Sequence, residues 1–292
     1  MAKPRSRATA NLPPARCYLQ LITVGLLVVL LGNSGAAAAS KPTRIVSLNV
    51  CTDQLVLMLA DPRHVASITF LALDPDLSAM AQGAAMHHIN HGNAEEVLAL
   101  EPDLVVAGKF STRPTVELLR RLNYRVEEFG IATTLEDARG QIQRMARILG
   151  EQEKGVRIVR EMNAKIRAAK RPRAGADPVA VIYRPNGFSA GANTLEHAVL
   201  TAAGFRNLSV ELGFAGVGRI ELEDLVAALP DLLVMTAYDS GKPSLAQEIL
   251  IHPVFRKVAS RTQTLTVPNN YWACAGPKLA DAVRLIAAAS HD

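Results

Sequence analysis

Short apolar runs alternate with helical patterns along almost the whole chain. Ile45 to Asn49, His64 to Thr69, Leu104 to Ala107 and Val126 to Phe129 read as buried strands; after a break the signal returns at Val179 to Tyr183, Leu232 to Thr236 and Thr264 to Val267. Between them, apolar residues recur at helical spacing in Asp53 to Leu59, Ala94 to Leu100, Val116 to Leu122, Leu195 to Ala202 and Pro277 to Ala289. Alternation of this kind predicts an α/β protein with mainly parallel sheets and helices on their faces.

The break is informative. From Leu135 to Arg171 there is no strand signal, only two helical segments, LEDARGQIQRMARIL and EQEKGVRIVREMNAKIRAAKR, divided at Gly150. In the second, Val156, Val159, Met162, Ile166 and Ala169 form one apolar stripe, and RPRAGADP then ends the helix with proline and glycine. A long helix between two α/β halves works as a rigid strut, whereas within a single sheet it is an ordinary crossover. The expected organisation is an N-terminal α/β lobe over 40–150, an inter-lobe helix over 151–171 and a C-terminal α/β lobe over 172–292.

A repeat favours the strut. NAEEVLALEPDLVVAG, residues 93 to 108, returns as ELEDLVAALPDLLVMT, residues 221 to 236, and each copy reads as helix, Pro-Asp turn and buried strand. In the first copy Asn93 and Glu96 have the spacing of a capping box, which leaves Glu95 without a structural task. In the second, Glu221 takes the cap position and Glu223 the place of Glu95. A helix dipole favours an acidic first turn by roughly 0.3 to 1 kcal/mol, so one such glutamate is unremarkable in itself. Recurrence at the same place in both halves is more specific, because equivalent exposed carboxylates suit a partner that is itself two-fold symmetric.

The first 39 residues change the charge picture. Lys3, Arg5, Arg7 and Arg16 precede an apolar run from Leu19 to Leu31 and then Gly35-Ala36-Ala37-Ala38-Ala39, the three-part pattern of a secretory signal cut after Ala39. The run is short for a membrane span of roughly 20 residues, and Cys17 lies ahead of it, not where a lipoprotein cysteine would stand. The leader holds four of the 32 Lys and Arg and none of the 27 Asp and Glu, which leaves 28 against 27. That balance gives no electrostatic reason to invoke nucleic acid or an anionic membrane. The cluster Lys165, Arg167, Lys170, Arg171 and Arg173 suits a solvated helix end. Cys51 and Cys274 form no CxxC pair, and an oxidising compartment permits a disulfide without proving one.

RIVSLNVCTDQLVLML, NAEEVLALEPDLVVAG, the long middle helix, NTLEHAVLTAAGFRNL and ELEDLVAALPDLLVM together resemble the periplasmic binding proteins of ABC importers for iron-siderophores and cobalamin. The resemblance runs from about Arg44 to about Ala289 and rests on the order and spacing of these motifs. It implies a class III periplasmic binding protein: two Rossmann-like lobes joined by a single long helix, with ligand in the cleft between them and little closure on binding. It also implies that Glu95 and Glu223 dock onto arginines of a dimeric permease, which works with its ATPase. The receptor itself is expected to be a periplasmic monomer with no cofactor and no catalysis.

Open α/β sheets bind ligands beyond the carboxyl ends of their strands. Aromatic residues are only 4% of the chain, and Phe70, Phe110, Tyr183, Phe188, Tyr238, Tyr271 and Trp272 fall at or just after expected strand ends. They suit a broad cleft for a large planar or chelated ligand, although packing beneath loops would place some of them equally well. Phe188 and the Tyr271-Trp272 pair match cleft aromatics of cobalamin binders by position. Lys109 beside Phe110, and Arg184 beside Tyr183, put a cation next to an aromatic on opposite lobes; this suits an anionic ferric chelate as well as an amide-fringed corrin. Cys51 follows the first strand and joins the ligand candidates. MHHINHGN offers His87, His88 and His91 in one loop; His88 and His91 are ligand candidates and all three are candidate metal ligands, without an evident completing donor.

Other classes fit less well. GFAGVG, residues 213 to 218, has its glycines in the wrong order for a dinucleotide loop, and no P-loop or nucleophile elbow occurs. A receptor for free zinc or manganese would need ligands converging from both lobes, where the second offers His197, His252 and Asp239. A haem receptor of the same importer class is the other alternative. The chain is therefore read as capturing cobalamin or a ferric siderophore for delivery to an inner-membrane permease.

Overall fold

A computed structural model describes residues 41–169, 175–237 and 248–289. The leader, the basic residues Lys170, Arg171 and Arg173, and Tyr238 and Asp239 lie outside the described residues.

The first lobe contains β1 (Ile45–Ser47), α1 (Val50–Leu59), β2 (Val65–Thr69), α2 (Ala81–Ala84), β3 (Ile89–Asn90), α3 (Ala94–Ala99), β4 (Leu104–Gly108), α4 (Arg113–Arg121) and β5 (Val126–Phe129). Its five strands are parallel in the order β3-β2-β1-β4-β5. β1 and β4 are central and almost wholly buried, which is why they read as continuous apolar runs. The first strand stops at Ser47 and not at Asn49 as expected. Asn49 is extended, and its side chain accepts from Cys51 N at 2.9 Å, so it caps α1 three residues earlier than the apolar pattern placed it.

Two helices follow, α5 (Leu135–Leu149) and α6 (Gln152–Ala169), and then the second lobe. This lobe holds β6 (Val179–Ile182), β7 (Phe188–Ala190), α7 (Leu195–Ala202), β8 (Arg206–Asn207), α8 (Leu208–Glu211), β9 (Val217–Arg219), α9 (Leu222–Ala228), β10 (Leu232–Ala237), α10 (Glu248–Ile251), α11 (Pro253–Ala259), β11 (Gln263–Pro268) and α12 (Leu279–Ala288). Its parallel sheet runs β11-β10-β6-β8, and β7 and β9 form a separate antiparallel ribbon. β3, β7, β8 and β9 escaped the sequence pattern because two or three residues are too few to show a period.

The strut α6 packs along α5 and α12. Its buried stripe is Gly155, Val159, Met162, Ile166 and Ala169; Val156, expected in that stripe, is exposed. Gly155 takes its place because α5 comes too close for a side chain: a Cβ there would lie 2.5 Å from Ala146 Cβ. One hydrophobic core runs from α1 and β1 through α5 and α6 into α7, β10 and α12, so the lobes share a packed interior.

The expected capping box at α3 is absent. Asn93 holds the cap position without a side-chain bond to the helix backbone, and Glu96 turns to His91, accepting from its backbone N at 2.7 Å with the ring Nδ1 3.1 Å away. Two contacts on one histidine displace the single bond to the cap. A true capping box forms at α5, between Thr134 and Asp137.

Candidate ligand cleft

A cavity of about 560 Å³ lies where loops of the two lobes meet. The first lobe contributes Asn49 and Cys51 after β1, Lys109, Phe110 and Ser111 after β4, and Ile131 and Thr133 after β5. β1 and β4 are neighbours from which the chain order diverges in both directions, so this is the switch point of the sheet, where open α/β folds leave a crevice. The second lobe contributes Asn193 to Glu196 at the start of α7, Val217 of β9, and Trp272 to Ala275 beyond β11.

Local geometry holds the polar side chains in place. Asn49 caps α1 through its Oδ1 while its Nδ2 donates to Ser111 Oγ at 3.3 Å. Gly108 lets the two meet: a Cβ there would stand 2.7 Å from Ser111 Oγ and 3.0 Å from Asn49 Nδ2. On α5, Gln141 reaches the cleft and donates to Gly130 O at 2.8 Å, steadying the loop that carries Ile131. Phe110 is 67% exposed and Ile131 75%, an apolar rim open to solvent, whereas Trp272 is only 2% exposed. The indole Nε1 is buried without a hydrogen-bond partner.

Charge in the cleft is low. Glu196 is neutralised by an ion pair with Arg184. Lys109 is the only cation among the described lining residues, its Nζ 6.0 Å from the Phe110 ring centre. The remaining polar lining consists of amides and hydroxyls, including Asn49, Ser111, Thr133, Gln141, Asn193 and Thr194.

Among the residues singled out from sequence, Cys51, Lys109, Phe110 and Trp272 therefore converge on this cavity. Arg184 stands behind it, through Glu196. Phe188 lies on the β7–β9 ribbon, whose Val217 lines the cavity. Tyr271 is half-buried beneath Lys278, whose Nζ is 5.0 Å from its ring centre. Tyr183 is sealed in the second lobe, stacked on Phe255 with its OH donating to Ile220 O. His87, His88 and His91 are outside the cavity lining, and no group of three metal-ligating side chains converges among the described residues. His91 is occupied by Glu96 and stacks on Phe70. Cys51 is bonded to Cys274, so it meets the cleft as a disulfide and not as a thiolate donor.

Sequence reading missed Asn49, Ser111, Ile131, Gln141 and Glu196. The first three sit at or just beyond strand ends, where the carboxyl-end rule could have found them; Gln141 lies within a helix and carries no such signal. Glu95 and Glu223 are both exposed, in the first turns of α3 and α9.

A profile described as "Periplasmic binding protein" matches residues 45–262. The chain is 24% identical over 272 residues to a protein named cobalamin-binding protein from Halobacterium salinarum, covering 89% of this chain and 72% of the relative. Among solved structures it is similar to a possible iron-binding periplasmic solute-binding protein of Staphylococcus epidermidis, with a TM-score of 0.71 at 16% identity, covering 87% of this chain and 100% of the other. It is similar too to a periplasmic heme-binding protein of a Roseiflexus species, with a TM-score of 0.67 at 22% identity over 84% and 97% of the two chains.

Proposed function

The chain belongs to the periplasmic binding protein family, and on that footing we propose that it captures an amide-fringed metal chelate of the cobalamin kind and hands it to an ABC importer without chemistry. The observation that carries this reading is the weakly charged cleft. A polyanionic ferric catecholate asks for several unpaired cations, and the described lining offers Lys109 alone. A corrin ringed with neutral amides asks for donors, acceptors and apolar faces, which Asn49, Gln141, Asn193, Phe110 and Ile131 supply. The name of the Halobacterium relative points the same way.

Binding is equilibrium capture in a preformed cleft, since the lobes share one core. Delivery follows by docking of the monomer, Glu95 and Glu223 each meeting one half of a two-fold permease that works with its ATPase. The leader is removed after Ala39 on export. Equilibrium dialysis of the mature protein against cyanocobalamin, haem, a ferric hydroxamate and a ferric catecholate tests the ligand class. Retention of cyanocobalamin alone supports it; preference for haem, the hydroxamate or the catecholate refutes it.

A further inference from the structure

Cys51 and Cys274 belong to opposite lobes. Cys51 is in the first turn of α1, Cys274 lies between β11 and α12, and their sulfurs are bonded although 223 positions separate them. The bond has a cavity on each side. In front is the cleft; behind it is a smaller space of about 190 Å³, lined among others by Leu55, Met58, Met80 and, from the strut, Lys165. Cys51, Cys274 and Ala275 are the residues common to the two linings.

We propose that this disulfide is the rear wall of the ligand cleft and the staple that fixes its width, so that it governs how long a ligand is retained; the retention part rests on the chelate-binding reading above. At the rear cavity the second lobe is also tied to the strut, where Lys165 of α6 pairs with Asp281 of α12 at 3.1 Å, both lining that space. A covalent link between the lobes, added to the strut's hold on the second lobe and the shared core, opposes the small rocking that cleft opening needs. Among the described residues, two loop side chains add hydrogen bonds across the join beside the disulfide: Asn269 Nδ2 donates to Asp76 O at 3.0 Å and Asn270 Nδ2 to Pro75 O at 2.6 Å. Without the covalent bond the wall between the cavities is held by these contacts and by packing. A cross-link over so long a loop removes many open conformations, and a cleft held at one width binds without the entropic cost of closing.

The test begins with the oxidation state. Mature protein purified without reductant is unfolded in an alkylating reagent and weighed by mass spectrometry; no alkylated cysteine is expected, and two alkylated cysteines overturn the proposal. Amide hydrogen exchange is then compared between the oxidised protein and protein reduced with dithiothreitol, which is itself oxidised to its cyclic disulfide. Exchange in residues 75–80 and 269–275 is expected to rise about tenfold or more, as opening of a low-stability edge would give. Unchanged exchange in both segments overturns the staple. Cyanocobalamin release, followed by stopped flow, is expected to quicken by about tenfold on reduction. Faster exchange with an unchanged release rate overturns the retention role. The double variant Cys51→Ser, Cys274→Ser should reproduce the reduced behaviour without reductant, and reduced wild-type protein carries the test if that variant does not fold. Should oxidised protein not bind cyanocobalamin, the chelate reading fails, while the exchange data still decide the staple.

Discussion

Asp103 and Asp231 do the same work in the two lobes. Asp103 accepts from the backbone N of Thr43 at 2.7 Å and of Arg44 at 3.0 Å, and Asp231 accepts from Val179 N at 2.8 Å. Each is the aspartate of a Pro-Asp turn, and each ties the entrance of one central strand, β4 or β10, to the entrance of its parallel neighbour, β1 or β6. The repeat in the sequence thus records a shared latch as well as the paired glutamates.

Replacing either aspartate by alanine leaves backbone donors unpaired and should lower stability by about 1 to 3 kcal/mol, read from urea unfolding. Desolvation opposes ionisation of Asp103, but the Thr43 and Arg44 donors outweigh it and hold its pKa below the usual carboxylate range. Its folded pKa is depressed, so the contribution is present above the unfolded value and is lost as pH falls through the folded one. Asp103→Ala should therefore flatten the acid limb of the stability curve.

Asp53 should show the opposite sign. It is buried in the first turn of α1, 2.5 Å from Thr69 Oγ1, and burial pushes its carboxyl up to about 6 against the bonds from Ser47 and Thr69. A raised folded pKa gives stability that is complete below the unfolded value and is lost as pH rises through about 6. The loss between pH 4 and 7 should be about 2 kcal/mol, and Asp53→Asn should remove this dependence in thermal unfolding followed across that range.

The larger architecture was legible because it depends on burial. β1, β4, β6 and β10 are covered on both faces and read as apolar runs. The long helix showed as a stripe, though misplaced by one position where Gly155, not Val156, meets α5. The site was only partly legible. Phe110 and Trp272 stood out because aromatics are scarce, while Asn49 and Ser111 look like ordinary turn residues until Gly108 brings them together. Tyr183 follows a strand as Phe110 does, yet it points into the lobe, a choice that periodicity cannot make. The fate of Glu96 was settled by His91, five residues before it.

In the cleft, side chains should separate by chemistry. Phe110→Ala removes an exposed aromatic wall and should weaken cyanocobalamin binding by about tenfold, in line with 1 to 2 kcal/mol for a stacking face. Lys109→Gln should change that affinity by less than about threefold, because the cation is exposed and the ligand carries neutral amides. Isothermal titration of both variants checks the pair. A large loss in Lys109→Gln alone would point to an anionic chelate.

Docking should be separable from capture. Glu95→Ala with Glu223→Ala should leave chelate affinity unchanged, since neither glutamate lines the cleft, while uptake with the intact importer falls. Lower affinity in the double variant would contradict the docking role.

The most direct measurement uses Trp272, the single tryptophan of the chain, which lines the cleft. Mature protein is titrated with cyanocobalamin while its fluorescence is followed, corrected for ligand absorbance and with Trp272→Phe as the blank. A saturable quench that agrees with equilibrium dialysis is the predicted result. A linear response explained by absorbance alone, with no cyanocobalamin retained on dialysis, would contradict capture of this chelate.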